Sequence, residues 1–370
     1  PKYLWIKIMA YSSITKPTDY FNTLTWVGSG NSSRDFTGVG FAPDLVWVKN
    51  RGGSVAINHS LYDRLRGAGA NKELVPNNTT AEGAENHDSY DYLSAFGSDG
   101  FSSTYVGNVA YYFNESGANY VGWSWLANGG TGSSNSDGAI TSTVSANTTA
   151  GFSIVKYTAT GSATNFGHGL GVAPSVVIIK DIDGTSGSGW LVGHTGIGMT
   201  NYIKLNATQA STSSTDVFAQ NATSSLVYIG NSAAVSESSK NYIAYCFAEK
   251  KGYSKFGSYT GNGGTDGTFI YTGFKPAWVI AKRTDSSSSG AWVMWDNKRS
   301  TFNSCDEYLV ANTSATESTV GTPIDIYSNG WKPGSAGACN ISGGTFIYLA
   351  FAENPFVGND SGTAVPVTAR

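Results

Sequence analysis

The chain has 370 residues, more than one hydrophobic core usually fills, so we expect two or three domains. Charged residues make up only 13% of it and glycine reaches 46 residues, yet aromatic residues also reach 13%, enough to fill cores, so a disordered chain is excluded. The net charge of −3, with no run of more than two basic residues and no long apolar stretch, argues against a nucleic-acid partner, membrane insertion and a cleaved signal peptide.

The chain repeats itself three times, and each repeat opens with the same kind of segment. A glycine is followed by a proline and then by an alternating apolar strand that ends in lysine, and the prolines are Pro43, Pro174 and Pro276. In chain order these opening segments lie at 37–51, 168–183 and 271–285. A fixed pattern that recurs at this spacing indicates repeated structural units.

Each repeat also closes alike, with an aromatic-rich strand. The closing segments lie at 119–127, 241–249 and 345–353. A Gly, Ser, Asn and Thr-rich stretch, typical of a flexible or hairpin-rich connector, separates the first two repeats. The sequence therefore predicts an N-terminal extension (1–19), unit one (20–127), a linker (128–150), unit two (151–250), unit three (251–356) and a C-terminal tail (357–370).

The apolar residues of the repeats form short runs rich in Val, Ile, Trp and Tyr, with a period of two that is typical of strands. Turn dipeptides such as Asn128-Gly129 and Asn329-Gly330 bound these runs, and the segment 61–70 is the only short helical candidate. We predict an all-β fold of three tandem antiparallel β-sandwiches, of jelly-roll or concanavalin A-like type, arranged in a row.

The chemistry-bearing residues give no metal or cofactor signature. Cys246, Cys305 and Cys339 are odd in number and lack C-x-x-C spacing, so we favour free buried thiols and leave a Cys305 to Cys339 pair open. The segment 181–189 begins like a calcium loop, but Val192 stands where a bidentate glutamate is needed, which favours a hairpin turn. We predict no metal and no cofactor.

Four sets of long motifs lie at 9–30, in the three opening strands, at 242–263 and at 351–356. At these motifs the chain resembles a repeat family that is abundant in marine bacteriophages, including those of cyanobacteria and pelagic bacteria. Proteins of this kind are described as tail-fibre-like or concanavalin A-like. The resemblance spans 9–370 and implies a virion component that displays lectin-like β-sandwiches, with no catalytic or ligand residues to carry over. It also makes Met9 resemble the natural start, which leaves residues 1–8 outside the pattern.

Candidate binding residues lie in two aromatic loops. The segment 77–96 looks like an insertion in unit one, and loops held by a rigid scaffold are where binding usually resides, although this loop could instead pack on unit two or on a neighbouring subunit. A second loop, 328–333, carries an aromatic residue. The candidates are His87, Asp88, Tyr90, Asp91, Tyr92 and Trp331.

We expect a non-enzymatic virion protein, a tail fibre or appendage on the virion surface that contacts host-surface glycans and other virion proteins. One alternative is a capsid-decorating or head-fibre protein without receptor binding. Another is a glycan hydrolase, although no H-E-x-x-H or G-x-S-x-G motif occurs and no carboxylate pair is marked. Since fibres act as symmetric oligomers, we also expect a homo-oligomer, with a trimer as the leading candidate.

Overall fold

The computed structural model describes residues 12, 14–30, 32–107, 109–184, 186–187 and 189–355. Strands dominate this part of the chain, so the all-β prediction is confirmed. The predicted start at Met9, residues 1–8 and the predicted tail 357–370 lie outside the described residues. Helical structure in the described ranges consists of α1 (Ala233–Ser236) and 3₁₀ helices at Pro17–Asp19, His87–Ser89 and Thr195–Ile197.

The first unit consists of two antiparallel sheets. Its strands are β1 (Phe21–Val27), β2 (Arg34–Thr37), β3 (Leu45–Gly52), β4 (Ser60–Asp63), β5 (Asp91–Phe96), β6 (Gly100–Tyr105) and β7 (Asn119–Trp125). The large sheet has the order β1-β7-β3-β4 and the small sheet the order β2-β6-β5. Between them Trp26 packs on Phe36, with ring centroids 4.7 Å apart, and on Phe101 at 6.2 Å. The helical candidate at 61–70 begins within β4 and continues as turns.

The second unit is built alike around a longer sheet. Its strands are β8 (Ser133–Asn135), β9 (Ser142–Asn147), β10 (Phe152–Thr158), β11 (Thr164–Gly167), β12 (Val176–Asp181), β13 (Trp190–His194), β14 (Asn201–Lys204), β15 (Thr212–Ser213), β16 (Leu226–Ile229) and β17 (Asn241–Phe247). The large sheet runs β15-β14-β13-β12-β17-β10-β9-β8, and β11 pairs with β16. Both β8 and β9 lie in the stretch that the sequence indicates as a linker, and as a hairpin they extend the sheet beyond β10.

The third unit repeats the plan once more. Its strands are β18 (Ser254–Thr260), β19 (Ile270–Tyr271), β20 (Phe274–Arg283), β21 (Trp292–Asp296), β22 (Leu309–Val310), β23 (Ile324–Tyr327), β24 (Gly330–Pro333) and β25 (Thr345–Pro355). The large sheet runs β18-β25-β20-β21-β22 and the small one β19-β24-β23. All three large sheets therefore share one order, in which the proline-led strands β3, β12 and β20 lie between the closing strand and the next hairpin strand.

Part of the predicted insertion 77–96 has a counterpart in unit three. The hairpin of β5 and β6 turns at Ser98-Asp99-Gly100, and that of β23 and β24 turns at Ser328-Asn329-Gly330. Gly100 has φ of 139°, and a Cβ there would lie 1.9 Å from the Phe36 carbonyl oxygen, so this turn requires glycine. The strand β5 is thus a regular element of the repeat, and the extra residues lie before it.

The three units are not arranged in the predicted row but share a core. The faces of the large sheets that point away from the small sheets are also apolar, and they pack together in one cluster of buried residues from all three units. Burying these second faces explains the arrangement, because a row would leave part of this apolar surface in water. An apolar cavity of about 40 Å³ is lined from each unit, for example by Leu45, Ile178 and Leu349.

Cyclic contacts join the units into a ring. The Trp190 indole nitrogen donates to the Val75 carbonyl (2.9 Å), so unit two holds unit one. The equivalent Trp292 nitrogen donates to the Lys204 carbonyl (2.8 Å), so unit three holds unit two. In unit one the same position is a histidine, His59, whose Nε2 donates to the Val310 carbonyl of unit three (3.1 Å) and closes the ring.

Two of the lysines that end the opening segments also make contacts between units. Lys180 donates to the Thr79 carbonyl of unit one (3.3 Å), and Lys282 donates to the Thr208 carbonyl of unit two (2.9 Å). The third, Lys49, donates to the Asn50 carbonyl within its own unit (2.6 Å). All three lysines are buried, and burial lowers the pKa of Lys49 to about 7 and those of Lys180 and Lys282 to about 8.

A second cyclic set of contacts lies at the other end of the hairpin strands. The Tyr245 hydroxyl donates to Asp63 (2.7 Å), which joins unit two to unit one, and the Trp123 indole nitrogen donates to Asp296 (3.1 Å), which joins unit one to unit three. At the third joint His194 takes the place of the aspartate, and its Nε2 lies 3.2 Å from the Tyr348 carbonyl.

His194 makes the ring sensitive to acid. Burial lowers its pKa to about 4, below the value of about 6.5 in an unfolded chain, so the folded state holds it neutral. Stability is therefore complete above about pH 6.5 and falls as the unfolded state takes up a proton at lower pH. Between pH 7.5 and pH 5 the parent protein should lose about 2 kcal/mol of stability through His194. We expect this part of the loss to be absent in His194→Gln, whose amide can still donate to the Tyr348 carbonyl.

Urea unfolding at both pH values measures this effect. The control is internal, since both proteins carry a neutral side chain at pH 7.5 and differ there by packing alone. An identical loss of stability in the variant and the parent would contradict this role of His194.

Candidate functional site

Two of the predicted site residues in unit one are structural. His87 is fully buried, its ring stacks on Tyr112 with centroids 3.4 Å apart, and its Nδ1 lies 3.0 Å from the Tyr62 hydroxyl. Burial lowers the pKa of His87 well below its usual range, so the ring is neutral. Asp91 is 1% exposed and accepts the backbone N–H groups of Tyr112 and Phe113, both at 2.8 Å. Burial raises the pKa of Asp91 to about 7.

The other candidates in this loop are more accessible. Asp88 is exposed, while Tyr90 and Tyr92 are half-buried, and the Tyr90 ring packs 5.3 Å from that of Tyr111. The preceding part of the loop packs on unit two, where the Glu82 N–H donates to the Ile182 carbonyl (2.9 Å). This is the structural alternative that the sequence left open for the loop. Asp88, Tyr90 and Tyr92 remain predicted contacts.

Trp331 lies in the core of unit three, which corrects the expectation that it is a surface contact. Its side chain is fully buried, with ring centroids 5.5 Å from Tyr259 and 6.3 Å from Trp295. The alternation of β24 explains this position, because Trp331 points inward while Lys332 points outward and pairs with Asp266.

An open pocket of about 660 Å³ lies elsewhere on unit three. The turn that joins units two and three forms one wall, with Glu249, Lys251 and Lys255, and the end of β19 forms the other, with Tyr271 and Thr272. Tyr271 presents its aromatic ring to this pocket, and 54% of the residue's surface is exposed to solvent. The pocket thus combines an aromatic ring with charged groups of both signs.

Hydrogen bonds of the joining turn fix the charged wall. The Lys250 N–H donates to the Ser254 hydroxyl (3.0 Å) and shapes the turn. Glu249 accepts twice, from the Lys255 ammonium (2.8 Å) and from the Phe256 N–H (2.8 Å). The Glu249 carboxylate is therefore held in place and neutralised by Lys255.

Strand pairing shows that unit one lacks the corresponding side chains of this pocket. Tyr271 pairs with Gly330 of its hairpin as Thr37 pairs with Gly100 in unit one, so threonine replaces the exposed ring there. By the same reasoning Asn22 corresponds to Lys255.

In unit one a hydrogen bond spans the place that corresponds to this pocket. The Asn22 amide donates to the Val39 carbonyl (2.9 Å) and so joins the two walls. In unit three Lys255, which corresponds to Asn22, donates to the Glu249 carboxylate instead (2.8 Å).

This pocket was not predicted from the sequence. Tyr271 was identified in the sequence only as the first residue of the third opening segment. A comparison of the repeats would have found the signal, because Tyr271 and Lys255 depart from Thr37 and Asn22 at matching positions.

Within the described ranges, no three His, Cys, Asp or Glu side chains lie close enough to hold a metal ion. Cys246, Cys305 and Cys339 are buried thiols, so no disulfide joins Cys305 to Cys339, the pairing that the sequence left open. The segment at 181 forms a hairpin loop in which Asp181 accepts the N–H groups of Asp183 and Gly184, both at 3.0 Å. No helix of the described residues is long and apolar enough to cross a membrane.

Residues 16–355 match the model of a family described as a domain of unknown function, DUF7483. The chain belongs to this family. The match covers all three units, so the DUF7483 domain corresponds to the whole ring rather than to one repeat. No curated protein and no solved structure matches the chain.

Proposed function

We propose that this DUF7483 protein is a structural component of a bacteriophage virion, a tail fibre or appendage whose lectin-like units bind glycans on the host surface without cleaving them. The observation that carries the proposal is the open pocket of unit three with the exposed ring of Tyr271. The resemblance of the sequence to marine phage proteins supports the virion part of the proposal.

The chemistry of the pocket suits a sugar. A pyranose has an apolar face that stacks on an aromatic ring and a rim of hydroxyl groups that bond to charged side chains. Tyr271 offers such a ring at the mouth, and the ammonium and carboxylate groups of Lys251, Lys255 and Glu249 line the same space. The rigid ring of sheets behind the pocket keeps these groups in place, which reduces the entropy lost on binding.

Hydrolysis of a glycosidic bond requires a pair of carboxyl groups, one on each side of the scissile bond. Among the described residues, Glu249 is the acidic residue that lines this pocket, and the Lys255 ammonium and the Phe256 N–H already donate to its oxygens. The arrangement therefore favours binding over cleavage.

A glycan array probed with the purified chain tests the binding proposal. We expect Tyr271→Thr, which installs the residue of unit one, to weaken binding about 10-fold or more, because loss of a stacking ring costs about 1–1.5 kcal/mol beyond its buried area. Tyr92→Thr serves as the matched control in the loop predicted from sequence. If Tyr92→Thr abolishes binding and Tyr271→Thr does not, the site lies in unit one, and a parent protein that binds no glycan contradicts the proposed function.

Immunolabelling of intact phage particles tests the location. Label on the tail is the expected result. Label on the head would favour the capsid-decorating alternative, and absence of the chain from purified particles would contradict both.

A further inference from the structure

We infer that the joint between units two and three holds a second binding site, a cleft that takes an uncharged sugar. The inference goes beyond the proposed function, because this cleft shares no lining residue with the pocket of Tyr271. It is carried by a space of about 400 Å³ in which side chains of both units meet.

All three joints of the ring contain the same backbone hydrogen bond. A loop residue of one unit donates its N–H to a carbonyl of the next unit, two residues after the lysine of the opening strand. The pairs are Glu82 with Ile182 (2.9 Å), Ser211 with Thr284 (2.8 Å) and Glu317 with Arg51 (2.8 Å). The three donor residues therefore take equivalent places in the ring.

At two of the joints a buried ion pair lies beside this hydrogen bond. Glu82 pairs with Arg66, with 3.0 Å between oxygen and nitrogen. Glu317 pairs with Arg299 at the same distance, and both arginines are buried. Each arginine follows the aspartate of its joint by three residues, so the two ion pairs are also equivalent.

At the joint between units two and three, smaller residues stand at both positions. Ser211 takes the place of the glutamate, and Ile197, three residues after His194, takes the place of the arginine. Ile197 packs against the shared core. Both residues are shorter than those they replace, and the cleft lies where they stand. The cleft therefore corresponds to a specific difference between the repeats.

Hydroxyl groups dominate the lining of the cleft. Ser258, Thr260 and Thr345 are exposed on the wall of unit three, and Ser211 is half-buried on the wall of unit two. The hydroxyl of Thr284 lies 2.9 Å from that of Thr345, which fixes this side chain at the rim. Among the described residues that line the cleft, none carries a charge.

This chemistry fits an uncharged sugar. Serine and threonine hydroxyls both donate and accept hydrogen bonds, as sugar hydroxyls do, so the two sets can pair in either direction. Ile197 offers an apolar surface to the C–H groups of a sugar ring. An ionic ligand would leave water without meeting a counter-charge, which is unfavourable. The volume falls within the range of about 300–1,000 Å³ that is typical of small-molecule sites.

An array of neutral hexose disaccharides and their uronic-acid counterparts tests the inference. The purified chain carries Tyr271→Thr throughout, so that the other pocket does not contribute. We expect neutral disaccharides to bind, and Thr260→Val to weaken this binding about 5-fold through the loss of one hydrogen bond between uncharged groups. The valine is the residue that unit one has at this position, Val27. Thr158→Val, at the same strand position in unit two, is the matched control and should change nothing.

A second variant closes the cleft. Ile197→Arg combined with Ser211→Glu installs the ion pair of the other two joints and should abolish binding of the neutral disaccharides. Urea unfolding followed by tryptophan fluorescence shows whether this variant folds. If it does not fold, Thr260→Val decides alone, and equal binding by Thr260→Val and Thr158→Val overturns the inference.

The outcomes separate this cleft from the pocket of Tyr271. Neutral disaccharides that bind in the Tyr271→Thr background, and are lost when the cleft is closed, support the inference. Binding that closure leaves unchanged, a preference for the uronic acids, or no binding at all in this background overturns it. In each of these cases glycan binding by the parent protein through Tyr271 would leave the proposed function intact. A parent protein that binds no glycan contradicts both.

Discussion

Replacing Arg299 by methionine is expected to lower the free energy of unfolding by about 3–5 kcal/mol. Arg299 is buried beneath the joint between units one and three, with its Nε 2.5 Å from Asp296 and its Nη1 3.0 Å from Glu317. Asp296 in turn accepts the indole N–H of Trp123 from unit one. Methionine leaves the buried Asp296 carboxylate without its counter-ion, and the cost of that uncompensated charge far exceeds the lost packing.

Urea unfolding followed by tryptophan fluorescence measures the loss. Lys16→Met is the control, since Lys16 pairs with Asp19 at the surface and an exposed pair contributes only about 0–1 kcal/mol. If Arg299→Met is too unstable to purify, Arg299→Lys keeps the charge, loses the forked geometry and should show a smaller loss. A loss in Arg299→Met no larger than that in Lys16→Met would contradict the burial of this joint.

Replacing Trp125 by alanine is expected to cost about 3–5 kcal/mol through packing alone. Trp125 is 2% exposed and lies in the shared core, where its ring centroid is 5.7 Å from Trp278 and 5.7 Å from Phe351, both in unit three. Among the residues that the structure describes, its indole nitrogen has no hydrogen-bond partner, so the substitution removes apolar contacts.

The expected signature is one transition for the whole chain, shifted to lower urea concentration. Phe302→Ala is the control, because Phe302 is 79% exposed and its loss should change stability by less than about 0.5 kcal/mol. Loss of unit one in a separate early transition, with the other two units unchanged, would show that the units have independent cores.

The repeated strands could be predicted from sequence because their signals are local. Alternation of apolar residues around Pro43, Pro174 and Pro276 indicates strands, and these strands take equivalent places in the three large sheets. The hairpin at 181 also follows from local turn residues, and it is observed. Period and turn chemistry are sufficient for such elements because each depends on a few neighbouring residues.

The closure of the ring could not be predicted because it depends on residues far apart in the chain. His59 takes the place that Trp190 and Trp292 occupy in the other units. The sequence therefore does not reveal that unit one makes the same contact with its neighbour. The contact between Arg51 and Glu317 joins positions 266 residues apart. Alternation also does not reveal that both faces of a sheet are buried, which is why a row of units was the expectation.

The candidate site was missed for a related reason. Aromatic and acidic residues such as His87 and Asp91 resemble a binding loop in sequence, but the structure uses them to pack and cap the fold. Exposure decides between these roles, and exposure depends on tertiary contacts. The informative signal was the difference between repeats at Tyr271, not the richness of any one loop.

Small-angle X-ray scattering of the monomeric chain distinguishes a closed ring of three units around one core from a row of separate units. A compact chain of this length has a radius of gyration of about 21 Å. Three separate units of about 115 residues, each with a radius of gyration of about 13 Å and placed in a row, would give about 30 Å. We expect the smaller value for the fraction whose scattering mass is that of one chain, and a value near 30 Å would contradict the ring.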